Sequence, residues 1–115
     1  MSAILIDSNV LLDLMTEDAR WFSWSAEVVE RLADRFRLVL NPIIYAEVSI
    51  RYSRIEDLEA ALPKAMFDRE AIPYEAAFPD FFIGAHAAIA GYQLLTRDTA
   101  RYRAYFPKLR LIAPN

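Results

Sequence analysis

Four acidic residues are the side chains of this sequence best suited to chemistry, because each adjoins an apolar stretch that predicts burial. They are Asp7, Glu47, Asp80 and Asp98. An unpaired buried carboxylate costs several kcal/mol, and several carboxylates in one place cost more unless a cation compensates them. The chain has no cysteine and a single histidine, so the ligands on offer are oxygen atoms, which favour Mg²⁺ or Mn²⁺. The sequence therefore predicts a divalent metal site.

Such a site is suited to the hydrolysis of a phosphodiester. Two metal ions about 3.5–4 Å apart can activate the attacking water and stabilise the leaving oxygen. Other schemes lack their motifs, because there is no Gly-x-Ser-x-Gly segment and the only glycines, Gly84 and Gly91, exclude a phosphate-binding glycine loop. A phosphatase with an aspartate nucleophile stays open at Asp7, although such enzymes generally have a second acid two residues later, where Asn9 stands.

Each of the four acids also has a structural explanation. Asp7 and Asp98 could each cap the helix that follows. Glu47 could pair with Arg51 at the favourable i, i+4 spacing, and Asp80 could stabilise the first turn of its helix through the helix dipole. The four acids together indicate a functional site more specifically than any one of them.

Other conspicuous residues favour structural roles. His86, the single histidine, has apolar neighbours on its helix face and is expected to be a hydrogen-bonded core or interface residue. The aromatic cluster at Trp21 and Trp24 favours core packing or a partner surface over stacking on bases. Asp13 and Asp18 have the pattern of an ordinary acidic surface.

Hydrophobic patterning and helix-start signals predict alternating strands and helices. Strands are predicted at 3–6, 38–40, 71–73, 93–96 and 109–112. Helices are predicted from Ser8 or Asn9 to 15, from Ser23 or Ser25 to 36, and over 42–52, 55–66, 79–90 and 99–105. Short connections between them imply an α/β three-layer fold with a mostly parallel central sheet flanked by helices. Ligands bind such sheets beyond the carboxyl ends of the strands, where Asp7 and Asp98 are expected.

The composition indicates one compact domain. The chain has 115 residues, and 56% of them are hydrophobic. No apolar stretch approaches the roughly 20 residues of a membrane helix, and the lack of cysteine fits a reducing cytosol, so a cytoplasmic protein with no membrane contact is expected. The net charge of −3 argues against binding nucleic acid by overall charge.

Basic residues between 97 and 110 fit a solvated surface and phosphate contact equally well. The candidates for contact with RNA phosphates are Arg97, Arg101 and Arg103.

Four segments of the chain resemble a known protein family. They are 6–12 (IDSNVLL), 41–47 (NPIIYAE), 79–87 (PDFFIGAHA) and 94–98 (LLTRD). In this order, and over nearly the whole chain, they resemble the PIN-domain ribonucleases, specifically the VapC-type toxins of bacterial toxin–antitoxin pairs.

The resemblance implies a single PIN domain over residues 1–115 that acts as a metal-dependent endoribonuclease toxin. It implies that Mg²⁺ or Mn²⁺ is held by the acids, with two polar residues in support. The metal-binding and catalytic acids would be Asp7, Glu47, Asp80 and Asp98, and the supporting residues Asn9 and Thr96. The implied partners are an RNA substrate, a second copy of the chain, and a VapB-like antitoxin that inserts its C-terminal segment near the acids.

The chain departs from the family pattern before Asp80. Residues 72–78 run almost directly into Asp80, where the family usually has another helix and a basic turn, so the domain is expected to be shortened here. A short link favours exchange of the C-terminal half between two chains, which predicts a domain-swapped or otherwise intertwined homodimer. Loss of the basic turn would also weaken RNA contact. The alternative to an active toxin is therefore a catalytically inactive PIN-fold interaction module.

Overall fold

The central feature of the fold is a five-stranded sheet. A computed structural model describes residues 3–62, 67–69 and 79–115, excluding the side chains of 67–69 and 79–82. The strands are β1 (Ala3–Ile6), β2 (Arg37–Leu40), β3 (Phe67–Arg69), β4 (Gln93–Leu95) and β5 (Leu111–Ile112). Their order is β3-β2-β1-β4-β5, and all four pairings are parallel. The predicted α/β fold with a mostly parallel sheet is confirmed.

Six helices connect the strands in the described part of the chain. They are α1 (Ser8–Met15), α2 (Phe22–Ala33), α3 (Pro42–Ser49), α4 (Ile55–Ala61), α5 (Pro79–Ala90) and α6 (Thr99–Tyr105). Because β1 is central and has helices on both sides of its sheet, all four of its residues are buried. The chain's apolar start is therefore explained by its place in the middle of the sheet.

The region after α4 differs from the sequence prediction. The helix predicted to continue to 66 ends at Ala61, and Leu62 is extended with ψ 125°. Residue 63 is proline, which disfavours helical geometry in the residue before it. The strand predicted at 71–73 lies outside the described residues, whereas β3 occupies Phe67–Arg69.

Side-chain caps determine where two helices begin. Asp7, rather than Ser8 or Asn9, is the N-cap of α1, and its carboxylate accepts the backbone N–H of Ser8. The predicted start of α3 at 42 is confirmed, and Asn41 caps the helix, because its Oδ1 accepts the backbone N–H of Ile44 at 2.9 Å. The Asn41 Nδ2 lies 3.1 Å from Nδ1 of His86, and this contact joins α3 to α5. His86 is 3% exposed, which confirms it as a hydrogen-bonded core residue.

Asp18 organises the entry to α2, which begins at Phe22 rather than at Ser23 or Ser25. One Asp18 carboxylate oxygen accepts the backbone N–H groups of Trp21 at 2.8 Å and Arg20 at 2.9 Å. These two hydrogen bonds, that of Trp21 first, hold the pKa of the Asp18 carboxyl below its usual value.

The lowered pKa of Asp18 predicts a pH-dependent contribution to stability. A carboxyl whose pKa is lower in the folded state stabilises the fold above its unfolded-state pKa, and loses this contribution as the pH falls through its folded-state pKa. We therefore expect Asp18→Ala to lower the melting temperature at neutral pH. The difference in melting temperature between this variant and the unaltered chain should become smaller at acidic pH. Thermal unfolding of both chains over a pH series measures this. A difference that stays constant down to strongly acidic pH would contradict the assignment.

No helix within the described ranges is both long enough and apolar enough to span a membrane.

Candidate metal and nuclease site

Asp7 lies directly beyond the carboxyl end of β1, at the edge of the sheet where α/β folds bind ligands. Its carboxylate is 3% exposed. Oδ1 accepts the backbone N–H of Ser8 at 2.7 Å, and Oδ2 accepts the hydroxyl of Thr96 at 2.7 Å. Both interpretations of Asp7 therefore apply, because the residue that caps α1 also lies at the predicted functional edge.

Asn9 and Thr96, the two predicted supporting residues, contact Asp7 and each other. Asn9 Nδ2 lies 3.3 Å from Asp7 Oδ2 and 3.2 Å from Thr96 Oγ1. The Asn9 Oδ1 accepts the backbone N–H of Arg97 at 3.2 Å. This amide therefore ties the start of α1 to the segment after β4, and it holds the Asp7 carboxylate from the side of α1.

Asp98 lies next to this group at the start of α6. Its backbone N–H donates to Thr96 Oγ1 at 3.0 Å, the same oxygen that donates to Asp7. Asp98 occupies the N-cap position of α6, but its side chain makes no capping hydrogen bond. The carboxylate is 42% exposed, and its Oδ2 lies 3.8 Å from Nε of Arg101. The predicted capping bond is therefore wrong, and Thr96 brings Asp7 and Asp98 to one place.

Glu47 lies on α3, which packs against α1 and α5. The residue is half-buried, and its Oε1 is shielded from solvent. Ile44 and Val48 of the same helix are fully buried. The helix that carries Glu47 therefore packs against α1, which Asp7 caps, and against α5, which bears Asp80.

Asp80 is the second residue of α5, which confirms its predicted place in the first turn of that helix. Its side chain lies outside the described part of the structure. Among the side chains that are described, no three acids or histidines form a metal-ligand cluster.

Asp13 is a buried residue that the sequence analysis wrongly placed on an acidic surface. It is 2% exposed, on the inner side of α1. Its carboxylate accepts hydrogen bonds from Nε of Arg97 at 2.8 Å and from Nη2 of Arg97 at 3.0 Å. It also accepts a hydrogen bond from the hydroxyl of Ser25 at 2.7 Å. A bidentate guanidinium and a buried hydroxyl compensate the carboxylate, which explains how it can lie in the interior.

This ion pair holds the segment that follows β4. Arg97 stands between Thr96 and Asp98, and its guanidinium also lies over the ring of Trp21, 4.9 Å from the ring centroid. Arg20 lies 5.0 Å from the same centroid, and Trp24 packs edge-to-face on Trp21 at 6.3 Å. Trp21 therefore packs within the protein, as the sequence analysis favoured.

The basic candidates differ in their surroundings. The side chain of Arg97 is 25% exposed and faces Asp13, whereas Arg101 and Arg103 are exposed on α6. Of the three predicted phosphate contacts, Arg101 and Arg103 are therefore the better placed to meet a ligand from solvent.

The chemistry of this edge fits a hard divalent cation. The Asp7 carboxylate stands beside the Thr96 hydroxyl and the Asn9 amide, and the backbone of Asp98 adjoins them. Mg²⁺ and Mn²⁺ prefer oxygen ligands such as these carboxylates. Carboxylate ligands that are held by hydrogen bonds from neighbouring side chains are typical of metal sites. Asp7 has such neighbours in Asn9 and Thr96.

Solved structures share the fold of this chain. One is the structure of VapBC2 from Rickettsia felis bound to a DNA fragment from its promoter. A chain of that structure superposes on this chain with a TM-score of 0.75 and 13% sequence identity, and the match covers 96% of this chain and 98% of that one. For FitAcB from Neisseria gonorrhoeae the TM-score is 0.66 and the sequence identity is 15%, and the match covers 96% of this chain and 97% of that one. For the PIN domain endonuclease Utp24 it is 0.65 with 13% identity, over 98% and 85%.

The chain therefore has a PIN-domain fold, as the resemblance implied. No family model and no curated protein matches the sequence. At such low identity a shared fold does not transfer an activity, because function depends on the residues of the site.

Proposed function

We propose that this protein is a metal-dependent endoribonuclease toxin that a cognate antitoxin neutralises. The observation on which the proposal chiefly rests is the Asp7 carboxylate, buried at the carboxyl end of the central strand and held by Thr96 and Asn9. Asp98 adjoins it through Thr96. An acid buried at the functional edge of a PIN-domain fold, with a second acid beside it, suits a site that binds a divalent metal and a phosphodiester.

The residues that would hold Mg²⁺ or Mn²⁺ are Asp7, Glu47, Asp80 and Asp98. When bound, the metal supplies an activated water and stabilises the charge of the leaving oxygen. The role of the neighbouring side chains is to hold the metal ligands in position. Thr96 and Asn9 orient Asp7, and the backbone contact between Thr96 and Asp98 sets the spacing of two acids.

The surroundings of the site support an RNA substrate. The exposed Arg101 and Arg103 lie on α6, which begins next to Asp98, so a backbone phosphate held by them would lie near the acids. We assign RNA phosphate contact to these two side chains first, and to Arg97 only if it leaves Asp13.

The proposed partners follow from the shared fold. The fold is shared with VapBC2 and FitAcB, which are toxin–antitoxin complexes, and this supports a complex with a VapB-like antitoxin for this chain as well. We also propose a homodimer. The short connection into α5 favours exchange of the C-terminal half between two copies, in which case the chain would elute as a dimer at micromolar concentration.

Two alternatives are weaker. An aspartate-nucleophile phosphatase generally has an acid at the place of Asn9, whereas the Asn9 amide donates a hydrogen bond toward Asp7 and has no carboxyl proton to transfer. The inactive interaction module is favoured only by the shortening expected before Asp80.

Cleavage of RNA by the purified chain tests the proposal. We expect total RNA to be cut by antitoxin-free protein in Mg²⁺ or Mn²⁺, because the acids need a cation to act on a phosphodiester. Excess EDTA should abolish the cleavage, and Mn²⁺ added beyond the chelator should restore it. Gel analysis of the RNA over time measures this.

Two outcomes would contradict the proposal. Cleavage that persists in EDTA would exclude a metal-dependent mechanism. No cleavage by a chain whose circular dichroism shows it to be folded would favour the interaction module.

A further inference from the structure

Tyr102 is a buried polar residue at the site that the sequence analysis did not select. It lies on α6 and is 1% exposed. Its hydroxyl lies 3.1 Å from Oδ2 of Asp7, 95 residues away in the chain. A buried tyrosine usually needs a partner for its hydroxyl, but the partner here is the central acid of the candidate site.

The hydrogen-bond directions around Asp7 follow from its neighbours. Thr96 Oγ1 accepts the backbone N–H of Asp98 and lies within hydrogen-bond distance of the Asn9 amide, so its own proton is directed to Asp7. An ionised carboxylate only accepts, so the hydroxyl of Tyr102 donates to it as well. Oδ2 thus receives donors from three parts of the fold, namely α1, the segment after β4, and α6.

The close approach of α6 depends on Gly84 of α5. A Cβ atom built at this glycine would lie 2.4 Å from Cε2 of Phe106 and 3.2 Å from Cδ1 of Tyr102. The first distance is too short for any real contact, so the absence of a side chain allows the two rings to pack on α5. The position of the Tyr102 hydroxyl is therefore set by a tight helix contact as well as by its own hydrogen bond.

We infer that Tyr102 is a positioning residue for the candidate metal site, and that its hydroxyl fixes the Asp7 carboxylate in the orientation in which the carboxylate binds the divalent cation. The inference rests on the proposed function. If Tyr102 only filled the core, its hydroxyl would not affect metal binding. A positioning role predicts instead that removing the hydroxyl lowers the metal affinity of a chain that is still folded.

The test is Mn²⁺ binding by the full chain, with free Mn²⁺ measured by electron paramagnetic resonance in the absence of RNA. Tyr102→Phe keeps the ring and removes the hydroxyl. We expect Mn²⁺ affinity to fall by about 10-fold or more, since losing a residue that orients a metal ligand typically costs 10–100-fold. Tyr105→Phe, on the exposed side of the same helix, is the matched control and should bind as the unaltered chain does.

A second variant reaches the same hydroxyl indirectly. Gly84→Ala changes no polar group, but it pushes on the rings of Phe106 and Tyr102, so it should also weaken Mn²⁺ binding. If it acts through the hydroxyl, the variant with both Gly84→Ala and Tyr102→Phe should bind Mn²⁺ no more weakly than Tyr102→Phe alone.

The outcomes separate the two proposals. Folded Tyr102→Phe that binds Mn²⁺ as tightly as the unaltered chain overturns the role of Tyr102 and leaves the proposed function in place. An unaltered, folded chain that fails to bind Mn²⁺ overturns the proposed function, and the role of Tyr102 with it. If the loss of Mn²⁺ binding free energy in the double variant equals the sum of the losses in the two single variants, Gly84 acts on the site by another route.

Discussion

The Asp7→Asn chain is expected to lose metal-dependent RNA cleavage while it remains folded. Asparagine keeps one oxygen that can accept the backbone N–H of Ser8 and so cap α1. It loses the negative charge that would bind the cation. Its NH₂ group would also face the donors Thr96 and Tyr102, both of which now donate to a carboxylate oxygen. The loss of charge acts on metal binding, whereas the cap is largely kept.

The expected fall in cleavage rate is more than about 100-fold, because removing a ligand should exceed the 10–100-fold that removing an outer partner of a ligand costs. The rate is measured on total RNA in Mn²⁺, beside thermal unfolding of the same preparation. Asp34→Asn makes the same chemical change at the exposed C-cap of α2 and should leave the rate unaltered. Full activity in folded Asp7→Asn would remove Asp7 from the catalytic site.

The second large effect is expected at Arg97, and it concerns stability. Arg97→Ala would leave the Asp13 carboxylate in the interior, where its side chain is 3% exposed, without the guanidinium that compensates it. Breaking a buried ion pair by removing one partner costs about 3–5 kcal/mol. The Ser25 hydroxyl would remain, but a single neutral donor compensates a buried charge far less than a bidentate guanidinium.

Urea unfolding of Arg97→Ala at neutral pH measures this cost. The matched control is Arg31→Ala, which breaks the exposed contact of Arg31 with Glu27 at 3.9 Å and should cost about 0–1 kcal/mol. Arg97→Lys keeps the charge but not the bidentate geometry, and its stability should lie between the two. Equal losses from Arg97→Ala and Arg31→Ala would show that the Asp13 pair contributes no more than a surface pair.

Much of the fold could be predicted because its signals are local. The apolar run 3–6 predicted the central strand, and the Asn41-Pro42 pair predicted the start of α3 through a cap and a suitable first residue. Gly91 directly follows the predicted helix 79–90, the position typical of a glycine C-cap, and it has φ 76°, with the backbone N–H of Tyr92 bonded to the carbonyl of Ala87. Each of these signals depends on a few neighbouring residues.

The residues that were missed make contacts between distant parts of the chain. Asp13 reads as a surface acid because Arg97, its partner, is 84 residues away. Tyr102 sits in a short helix between exposed arginines, and its partner Asp7 is 95 residues away. One local signal did exist for Asp13, since it lies three residues after the buried Val10 on the same helix face.

The parallel sheet also determines when the candidate site can form during synthesis. β1 pairs only with strands that follow it by at least thirty residues, through contacts such as Ala3 with Arg37 and Ile4 with Gln93. Such distant pairings make folding slow compared with that of locally connected strands. Asp7 is made early, but its partners Thr96 and Tyr102 follow it by 89 and 95 residues. A growing chain that has not yet reached Tyr102 therefore has no assembled site, and the hydrogen bonds around Asp7 form only after α6 has been synthesised.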